Sequence, residues 1–145
     1  MSKGPDEPTF RIVLLEDNPA DVYLLRKALD AAGMQFELTV IENGAEGLAF
    51  ARREGVYAAS PIPDLAVLDL NVPKGGGVTV LGAMRRSKEL EFVPVVIMTS
   101  SATPREQATA GSLGVQRFIT KPTDLDEFME IGGLLKEILL KAAVL

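Results

Sequence analysis

Five short apolar runs, each followed by a segment with the pattern of a helix, limit what this chain can fold into. The runs lie at residues 11–15, 36–41, 64–70, 93–98 and 117–120. The first, third and fourth contain four consecutive apolar residues instead of an alternation of apolar and polar ones. Such continuous runs are typical of parallel strands that are buried on both faces of a sheet. The pattern therefore predicts five strands covered by helices.

The segments between and after these runs carry amphipathic spacing and helix start and stop signals. They predict helices at residues 20–31, 45–53, 78–87, 104–112 and 125–141. Strand and helix alternate five times with no internal repeat and no linker, which indicates one α/β domain, a doubly wound five-stranded parallel sheet with right-handed crossovers and helices on both faces. We expect this domain to span residues 10–145, after a disordered polar tail at residues 1–9.

The residue types that the chain lacks exclude several kinds of functional site. The chain has no cysteine, which excludes disulfides, cysteine-ligated zinc and a thiol nucleophile. It has no histidine, so a histidine base, an imidazole metal ligand and an internal phosphohistidine are excluded as well. A net charge of −5 argues against a nucleic-acid surface. No apolar run approaches the roughly 18 residues of a membrane span, and the polar start differs from a signal peptide, so we expect a soluble cytoplasmic protein.

Polar residues follow four of the five predicted strands. In open parallel sheets, ligands bind outside the carboxyl ends of the strands, near the point where the winding reverses. Single polar residues at strand ends are often merely solvated, but a whole set of them is better explained by a site. The set is Glu16, Asp17, Asp69, Thr99 and Lys121.

The chemistry of this set is coherent. Three carboxylates brought close together repel one another and have raised pKa values unless a cation lies among them. Mg²⁺ prefers oxygen ligands and is commonly bound by one or two carboxylates together with waters and a substrate phosphate. Lys121 adds a point charge suited to phosphate, and Thr99 adds a hydroxyl donor. The residues alone therefore predict a magnesium-dependent phosphate site.

Four motifs, taken in order, resemble the receiver domain of response regulators in two-component systems. They are Leu-Leu-Glu-Asp-Asn at 14–18, Leu-Asp-Leu-Asn-Val-Pro at 68–73, Met-Thr-Ser at 98–100 and Thr-Lys-Pro at 120–122. The resemblance covers the chain from Phe10 to about Lys141.

Three further segments are similar to the phytochrome-associated single-domain response regulators. These are Asn-Pro-Ala-Asp at 18–21, the proline-containing loop at 56–63 and Thr-Asp-Leu-Asp-Glu-Phe at 123–128.

The resemblance implies a fold and a set of metal-binding residues. The expected strand order is flavodoxin-like, 2-1-3-4-5. Asp69 matches the phosphoacceptor, and Glu16 and Asp17 match the acids that bind the metal. With Asp69 and the backbone carbonyl of Asn71, these acids would hold Mg²⁺.

The resemblance also implies a conformational switch. Thr99 matches the switch hydroxyl, Lys121 the phosphate-binding lysine and Phe118 the aromatic residue that changes rotamer on activation. Phe118 stands where tyrosine is frequent in the family. The pair Lys121 and Pro122 resembles the family's cis peptide bond. The loop at 73–77 departs from the family's usual acid–glycine pair, and its three glycines predict a flexible turn.

The implied function is a signalling switch rather than an enzyme. Asp69 would take a phosphoryl group from a histidine kinase or a histidine phosphotransfer protein, and slow hydrolysis would reset it. In the family, the residues at positions 71 and 101, here Asn71 and Ser101, tune that hydrolysis. Output would pass through the face formed by the fourth helix, the fifth strand and the fifth helix, to a second copy in a homodimer or to a separate target. We expect no nucleic-acid or membrane partner.

Two other functions share part of this pattern. A haloacid-dehalogenase-type phosphatase also uses a nucleophilic aspartate after a parallel strand, but it needs a second acid two residues later, where this chain has Asn71. A pseudo-receiver would keep the fold as a phosphorylation-independent binding module. The complete set of polar strand-end residues argues against the pseudo-receiver.

One feature of the last predicted helix has a structural interpretation only. Gly132 and Gly133 lie inside that helix, where each costs about 1 kcal/mol relative to alanine. We therefore expect the helix to bend there or to pack closely against a neighbour.

Overall fold

The computed structural model describes residues 7–143 and has the predicted alternation of strands and helices. The elements are β1 (Thr9–Leu15), α1 (Pro19–Ala31), β2 (Gln35–Ile41), α2 (Gly44–Ala51), β3 (Leu65–Leu68), α3 (Gly77–Arg85), β4 (Val95–Thr99), α4 (Pro104–Ser112), β5 (Arg117–Thr120) and α5 (Leu125–Ala143). A turn of 3₁₀ helix, Gly55–Tyr57, lies between α2 and β3. Every predicted strand and helix is confirmed, with its ends within two residues of the predicted ones.

The five strands form one parallel sheet in the order β2-β1-β3-β4-β5, which confirms the expected flavodoxin-like topology. The central strands β3 and β4 are buried along their whole length. Their continuous apolar runs are explained by this position, because both faces of a central parallel strand are covered.

Alternate residues of each inner strand contribute to two separate cores. Leu15 and Leu68 pack with Met84 of α3 on one face of the sheet. Leu14 and Val67 pack on the other face, with the apolar sides of α1 and α5. The period of two along a strand therefore places helices on both faces, as predicted.

Gly132 allows α5 to pack closely against α1. A Cβ atom at this position would overlap the carbonyl oxygen of Ala28, so any side chain would force the two helices apart. This close approach confirms the packing interpretation for Gly132. A Cβ atom on Gly133 would have no neighbour within 4 Å among the described residues, and packing does not explain that second glycine.

Two expectations are wrong at single positions. Thr9, which we assigned to the tail, is the first residue of β1, because it pairs with Gln35 and a β-branched residue suits a strand. The tail at residues 1–6 and the final residues 144–145 lie outside the described residues. No peptide bond between residues 7 and 143 is cis, so the cis bond expected between Lys121 and Pro122 is not observed. The trans form is favoured by only about 0.5–1 kcal/mol before proline, so local sequence does not decide the isomer.

None of the helices between residues 7 and 143 combines the length and the apolar character needed to cross a bilayer.

Candidate functional site

The carboxyl edge of the sheet brings the predicted polar residues together. Backbone hydrogen bonds between neighbouring strands continue for one residue beyond the strand ends. Asp69 donates its N–H to the carbonyl oxygen of Leu15 at 3.0 Å, and Lys121 donates to that of Thr99 at 2.8 Å. The sheet itself therefore fixes where these side chains begin.

Asp69 lies at the centre of the site and is 5% exposed. Its Oδ1 accepts hydrogen bonds from the Thr99 hydroxyl at 2.8 Å and from the backbone N–H of Asn71 at 3.0 Å. Its Oδ2 accepts one from the Lys121 ammonium group at 2.8 Å. Both carboxylate oxygens are thus oriented before any ligand binds.

The Lys121 ammonium group is surrounded by carboxylates. Its Nζ lies 2.7 Å from Glu16 Oε1, 2.7 Å from Asp21 Oδ2 and 2.8 Å from Asp69 Oδ2. Burial alone would lower the pKa of Lys121, but contacts with Asp21, Asp69 and Glu16 outweigh burial and raise the pKa above its ordinary value. Lys121 therefore stays charged and compensates part of the negative charge of the site.

Glu16 is the most deeply buried acid of the site, at 1% exposure. Its Oε2 accepts a hydrogen bond from the backbone N–H of Asn18 at 3.1 Å, and its Oε1 is in ion-pair contact with Lys121 without an aligned hydrogen bond. Burial raises the pKa of the Glu16 carboxyl, Lys121 and Asn18 oppose that rise, and the nearby charge of Asp69 adds to it. A positive charge beside Glu16 would therefore be favourable.

Three carboxylates are arranged so that they could hold a metal ion. Glu16, Asp17 and Asp69 each offer one oxygen atom, and these atoms lie within 4.8 Å of one another. Asp17 is exposed, while the other two are buried. An all-oxygen donor set with one solvent-facing member suits a hard divalent cation that keeps several waters.

Asn71 ties together the loops that follow β3 and β4. Its side-chain amide donates to Thr99 Oγ1 at 3.0 Å and to the carbonyl oxygen of Ser101 at 2.7 Å. Unlike a carboxyl group, this amide does not gain or lose a proton in the ordinary pH range, and both of its N–H donors are engaged in structural contacts. The position that a haloacid-dehalogenase-type phosphatase needs for acid–base chemistry is therefore a bridge between loops here.

The glycines after Asp69 are packed closely rather than forming only a flexible turn. Lys74 and Gly75 have positive φ angles of 62° and 113°. A Cβ atom on Gly77 would overlap the carbonyl oxygen of Asp69, and Gly44 at the start of α2 donates its N–H to Pro73 at 2.8 Å. The loop is thereby attached to α2, and the glycine at 77 is required by the backbone of Asp69 itself.

Phe118 lies away from the carboxylates. It is half-buried on β5 and packs against the core on the face of the sheet covered by α3. Thr99, in contrast, already contacts Asp69 through its hydroxyl group. The two residues assigned to the switch therefore lie on the neighbouring strands β4 and β5, and only Thr99 contacts the carboxylate site.

Asp21 is the site residue that our sequence reasoning missed. Asp21 belongs to the segment at 18–21 that is similar to the phytochrome-associated regulators, but that similarity assigns it no role. It lies in the first turn of α1, and the side chain of Asn18 caps that helix by accepting from the N–H of Ala20 at 2.9 Å. The available signal was its position, since a helix that follows β1 begins at the carboxyl edge of the sheet.

Comparison with known proteins agrees with this geometry. Residues 12–131 match the family model described as the response regulator receiver domain. The response regulator Rcp1 of Synechocystis sp. (strain ATCC 27184 / PCC 6803 / Kazusa) is 34% identical over 135 residues, which cover 92% of this chain and 91% of that protein.

Two solved structures have the same fold. The phosphorylated cyanobacterial phytochrome response regulator RcpA superposes with a TM-score of 0.83 at 34% identity, over 92% of this chain and 95% of that one. The Mn(2+)-bound form of Rcp1 has a TM-score of 0.79 at 30% identity, over 88% and 92% of the two chains.

Proposed function

Since this chain belongs to the response regulator receiver domain family, we propose that Asp69 accepts a phosphoryl group from a phosphohistidine on a histidine kinase or a histidine phosphotransfer protein. One observation carries the proposal. The Asp69 carboxylate is buried, with one oxygen on Lys121 and the other on Thr99 and Asn71. The donor histidine must come from another molecule, because this chain contains none.

The transfer is a displacement at phosphorus. An Asp69 oxygen forms a bond to the phosphorus atom as the P–N bond of the phosphohistidine breaks, and its electron pair stays on the imidazole nitrogen. Lys121 and Thr99 lie next to the carboxylate oxygens, so their donors can turn to the oxygens of the transferred group. The product is an acyl phosphate on Asp69.

The same residues fit Mg²⁺. Glu16, Asp17 and Asp69 offer an all-oxygen set, and the backbone carbonyl of Asn71 would add a fourth ligand. Mg²⁺ supplies positive charge that neutralises the phosphoryl oxygens when it is bound. A bound cation would also offset the cost of burying the Glu16 carboxylate and its repulsion by the charge of Asp69.

Resetting occurs by hydrolysis. A water oxygen attacks phosphorus, the bond to Asp69 breaks, and the carboxylate and inorganic phosphate are released. Asn71 and Ser101 lie at the two positions that tune this step in the family, and the Asn71 amide joins them through the Ser101 carbonyl oxygen. The protein then acts as a slow signalling switch and does not turn over a metabolite.

The proposal is tested by labelling with acetyl phosphate, read as intact mass with and without Mg²⁺. Wild type should gain one phosphoryl group in the presence of Mg²⁺, and Asp69→Asn should gain none. Asp64→Asn is the matched control, because Asp64 flanks the same strand at its other end and accepts a hydrogen bond from the backbone of Arg11. Stoichiometric labelling of Asp69→Asn would refute the assignment.

Output is proposed to pass through the face made by α4, β5 and α5. Thr99 ends β4 and Lys121 follows β5, so a phosphoryl group that engages both would pull on the loops entering α4 and α5. Phe118 would turn further inward as Thr99 shifts, and the changed face would meet a second copy of the chain. A few kcal/mol of differential stabilisation between two existing states is enough for such a switch.

Light scattering with and without beryllofluoride tests this output. Beryllofluoride, which mimics the phosphoryl group, should raise the mass to that of a dimer and change amide exchange across residues 100–125. If neither quantity changes, the proposed output surface is wrong while phosphorylation of Asp69 can still stand.

A further inference from the structure

Lys121 has more acidic partners than its proposed role requires. An ammonium group has three protons, and here three carboxylate oxygens lie within 2.7–2.8 Å of Nζ. Two of these acids, Glu16 and Asp69, also belong to the group of carboxylates that could hold a metal ion. Asp21 is the third partner and lies outside that group among the described residues.

Asp21 is well placed to hold Lys121 from a fixed point. It lies in the first turn of α1, which is capped by Asn18 and is buried against α5 through Leu25 and Leu29. The Asp21 side chain is 19% exposed, and the Lys121 side chain is 8% exposed. An ion pair with so little solvent access keeps its geometry better than a surface pair does.

We infer that Asp21 is a positioning residue, which keeps the Lys121 ammonium group aimed at the phosphoryl group on Asp69. The inference rests on the proposed function and deepens it. When Asp69 becomes an acyl phosphate, the hydrogen bond that Lys121 now donates to Asp69 Oδ2 would be donated to a phosphoryl oxygen instead. Asp21 would then hold Nζ in place, while Glu16 would be available as a ligand of the divalent cation. Without Asp21, the four-carbon chain of Lys121 could rotate away.

This role predicts that two rates change together. Phosphorylation and hydrolysis both pass through a transition state with negative charge on the phosphoryl oxygens, and Lys121 stabilises that charge in both. A misplacement of about 1 Å can lower such rates about 100-fold, and a smaller displacement should lower them less. Asp21→Ala should therefore slow both labelling by acetyl phosphate and loss of the label by about tenfold.

The experiment compares Asp21→Ala and Asp21→Asn with wild type at saturating Mg²⁺, by intact mass over time. Asparagine keeps an acceptor oxygen at the same distance, so Asp21→Asn should recover most of the lost rate in both directions. Asp126→Ala is the matched control, because Asp126 is an exposed acid in the first turn of α5. Rates for Asp21→Ala within twofold of wild type, in either direction, would overturn the inference.

A second measurement needs neither phosphodonor nor metal. Acetic anhydride acetylates accessible lysine amines. The Lys121 side chain is 8% exposed and its ammonium group is held by three carboxylates, so it should react slowly in metal-free wild type relative to Lys141, whose side chain is 78% exposed. Asp21→Ala should raise the acetylation of Lys121 severalfold, as read by peptide mass spectrometry, and Asp126→Ala should leave it unchanged.

This measurement separates the two possible failures. If wild type takes no label on Asp69, the proposed function fails, whatever Lys121 does. If Asp69 is labelled but the acetylation of Lys121 does not respond to Asp21→Ala, the function stands and the positioning role is overturned.

Discussion

The two edges of the sheet satisfy their charged side chains in different ways. At the amino edge, the charged groups of Arg85 and Asp64 have backbone partners. The Arg85 guanidinium at the end of α3 donates to the carbonyl oxygens of Leu113 and Val93, both at 2.8 Å, and to that of Glu91 at 3.0 Å. Asp64 accepts from the backbone N–H of Arg11 at 2.8 Å. Both charged side chains are thus hydrogen-bonded to backbone groups, whose positions are fixed by the fold.

At the carboxyl edge, Asp69 and Glu16 each accept one hydrogen bond from a backbone N–H, but their other partners are side chains. Lys121 contacts three carboxylates, and Asp69 receives the Thr99 hydroxyl group. With the exposed Asp17, which lies beside Glu16 and Asp69, the described part of the site has four acids and one lysine. Negative charge is therefore left over at this edge.

The difference separates stability from function. Backbone partners cannot leave, so Arg85 and Asp64 contribute mainly to folding. Side-chain partners can exchange, so Lys121 and Thr99 can leave the Asp69 carboxylate and bind a ligand. The excess negative charge of the site favours binding of a cation. Substitutions at the first edge should change stability whatever is bound, and those at the second should change stability in a way that depends on the ligand.

The largest loss of stability should follow from Arg85→Ala at the amino edge. The substitution removes the donor shared by carbonyl groups on the loops before β4 and β5, including Gly114 at 3.3 Å. At 0.5–1.5 kcal/mol for each hydrogen bond, the free energy of unfolding should fall by about 3 kcal/mol. Burial lowers the pKa of Arg85 somewhat, but the guanidinium stays charged at any ordinary pH.

Urea unfolding with and without Mg²⁺ measures this loss. Arg86→Ala is the control, because Arg86 is the next residue and is exposed, and its substitution should change stability by less than about 0.5 kcal/mol. The loss for Arg85→Ala should be the same in both conditions. Equal stabilities of the two variants would mean that the amino edge does not depend on its backbone contacts.

A smaller loss should follow from Lys121→Met at the carboxyl edge. Glu16 and Asp69 would then be buried together without a cation. This should cost about 2 kcal/mol in metal-free protein, less than for a fully enclosed pair, because the neighbouring Asp17 is exposed and leaves the site open to solvent cations. The folded-state pKa of Lys121 is raised, so its contribution is fully present below its ordinary pKa of 10.5 and is lost only as pH rises through the higher value. The loss should therefore persist across neutral pH.

Adding Asp69→Asn to Lys121→Met tests whether charge is the cause. The double variant removes one of the repelling carboxylates, so thermal or urea unfolding should show that it regains stability relative to Lys121→Met alone. If the two substitutions destabilise additively, the loss comes from packing of the lysine side chain and not from uncompensated charge.

The comparison also shows which parts could be predicted from sequence. The residues that follow strands were predictable, because parallel strands end at one edge and their polar side chains must meet there. Asp21 and Arg85 were not, because they lie on helices and their partners are remote in sequence. Lys121 is 100 residues from Asp21 and meets it only when α1 and the loop after β5 have been placed on the sheet.

Backbone details were harder still. Close packing at Gly132 was one of two interpretations of a glycine pair, and only the neighbouring carbonyl of Ala28 decides between them. The isomer of the bond before Pro122 depends on free-energy differences smaller than local sequence can resolve. The proposed metal ligands remain a prediction, since their proximity is necessary for binding but is not itself binding.

The smallest effect expected is the stabilisation of wild type by Mg²⁺. A ligand that binds only the folded state stabilises it by RT ln(1 + [L]/Kd), which is about 1.4 kcal/mol at ten times Kd. Asp17→Asn should remove most of this gain, because Asp17 is the solvent-facing member of the carboxylate group. It should also raise the stability of the metal-free protein slightly, because it removes one of the repelling charges. Urea midpoints over a Mg²⁺ titration measure both changes.

Asp64→Asn supplies the matched control from the other edge. Asparagine can still accept the hydrogen bond from the backbone of Arg11, so the free energy of unfolding of Asp64→Asn should lie within about 0.5 kcal/mol of that of wild type. Mg²⁺ should stabilise this variant as much as it stabilises wild type. Asp17 and Asp64 lie at opposite edges of the same sheet. Asp64 accepts a hydrogen bond from the backbone, whereas Asp17 lies in the carboxylate group, so only Asp17→Asn should reduce the gain in stability from Mg²⁺. An equal Mg²⁺ gain in Asp17→Asn and Asp64→Asn would show that the cation binds elsewhere, and the excess negative charge at the carboxyl edge would then need another explanation.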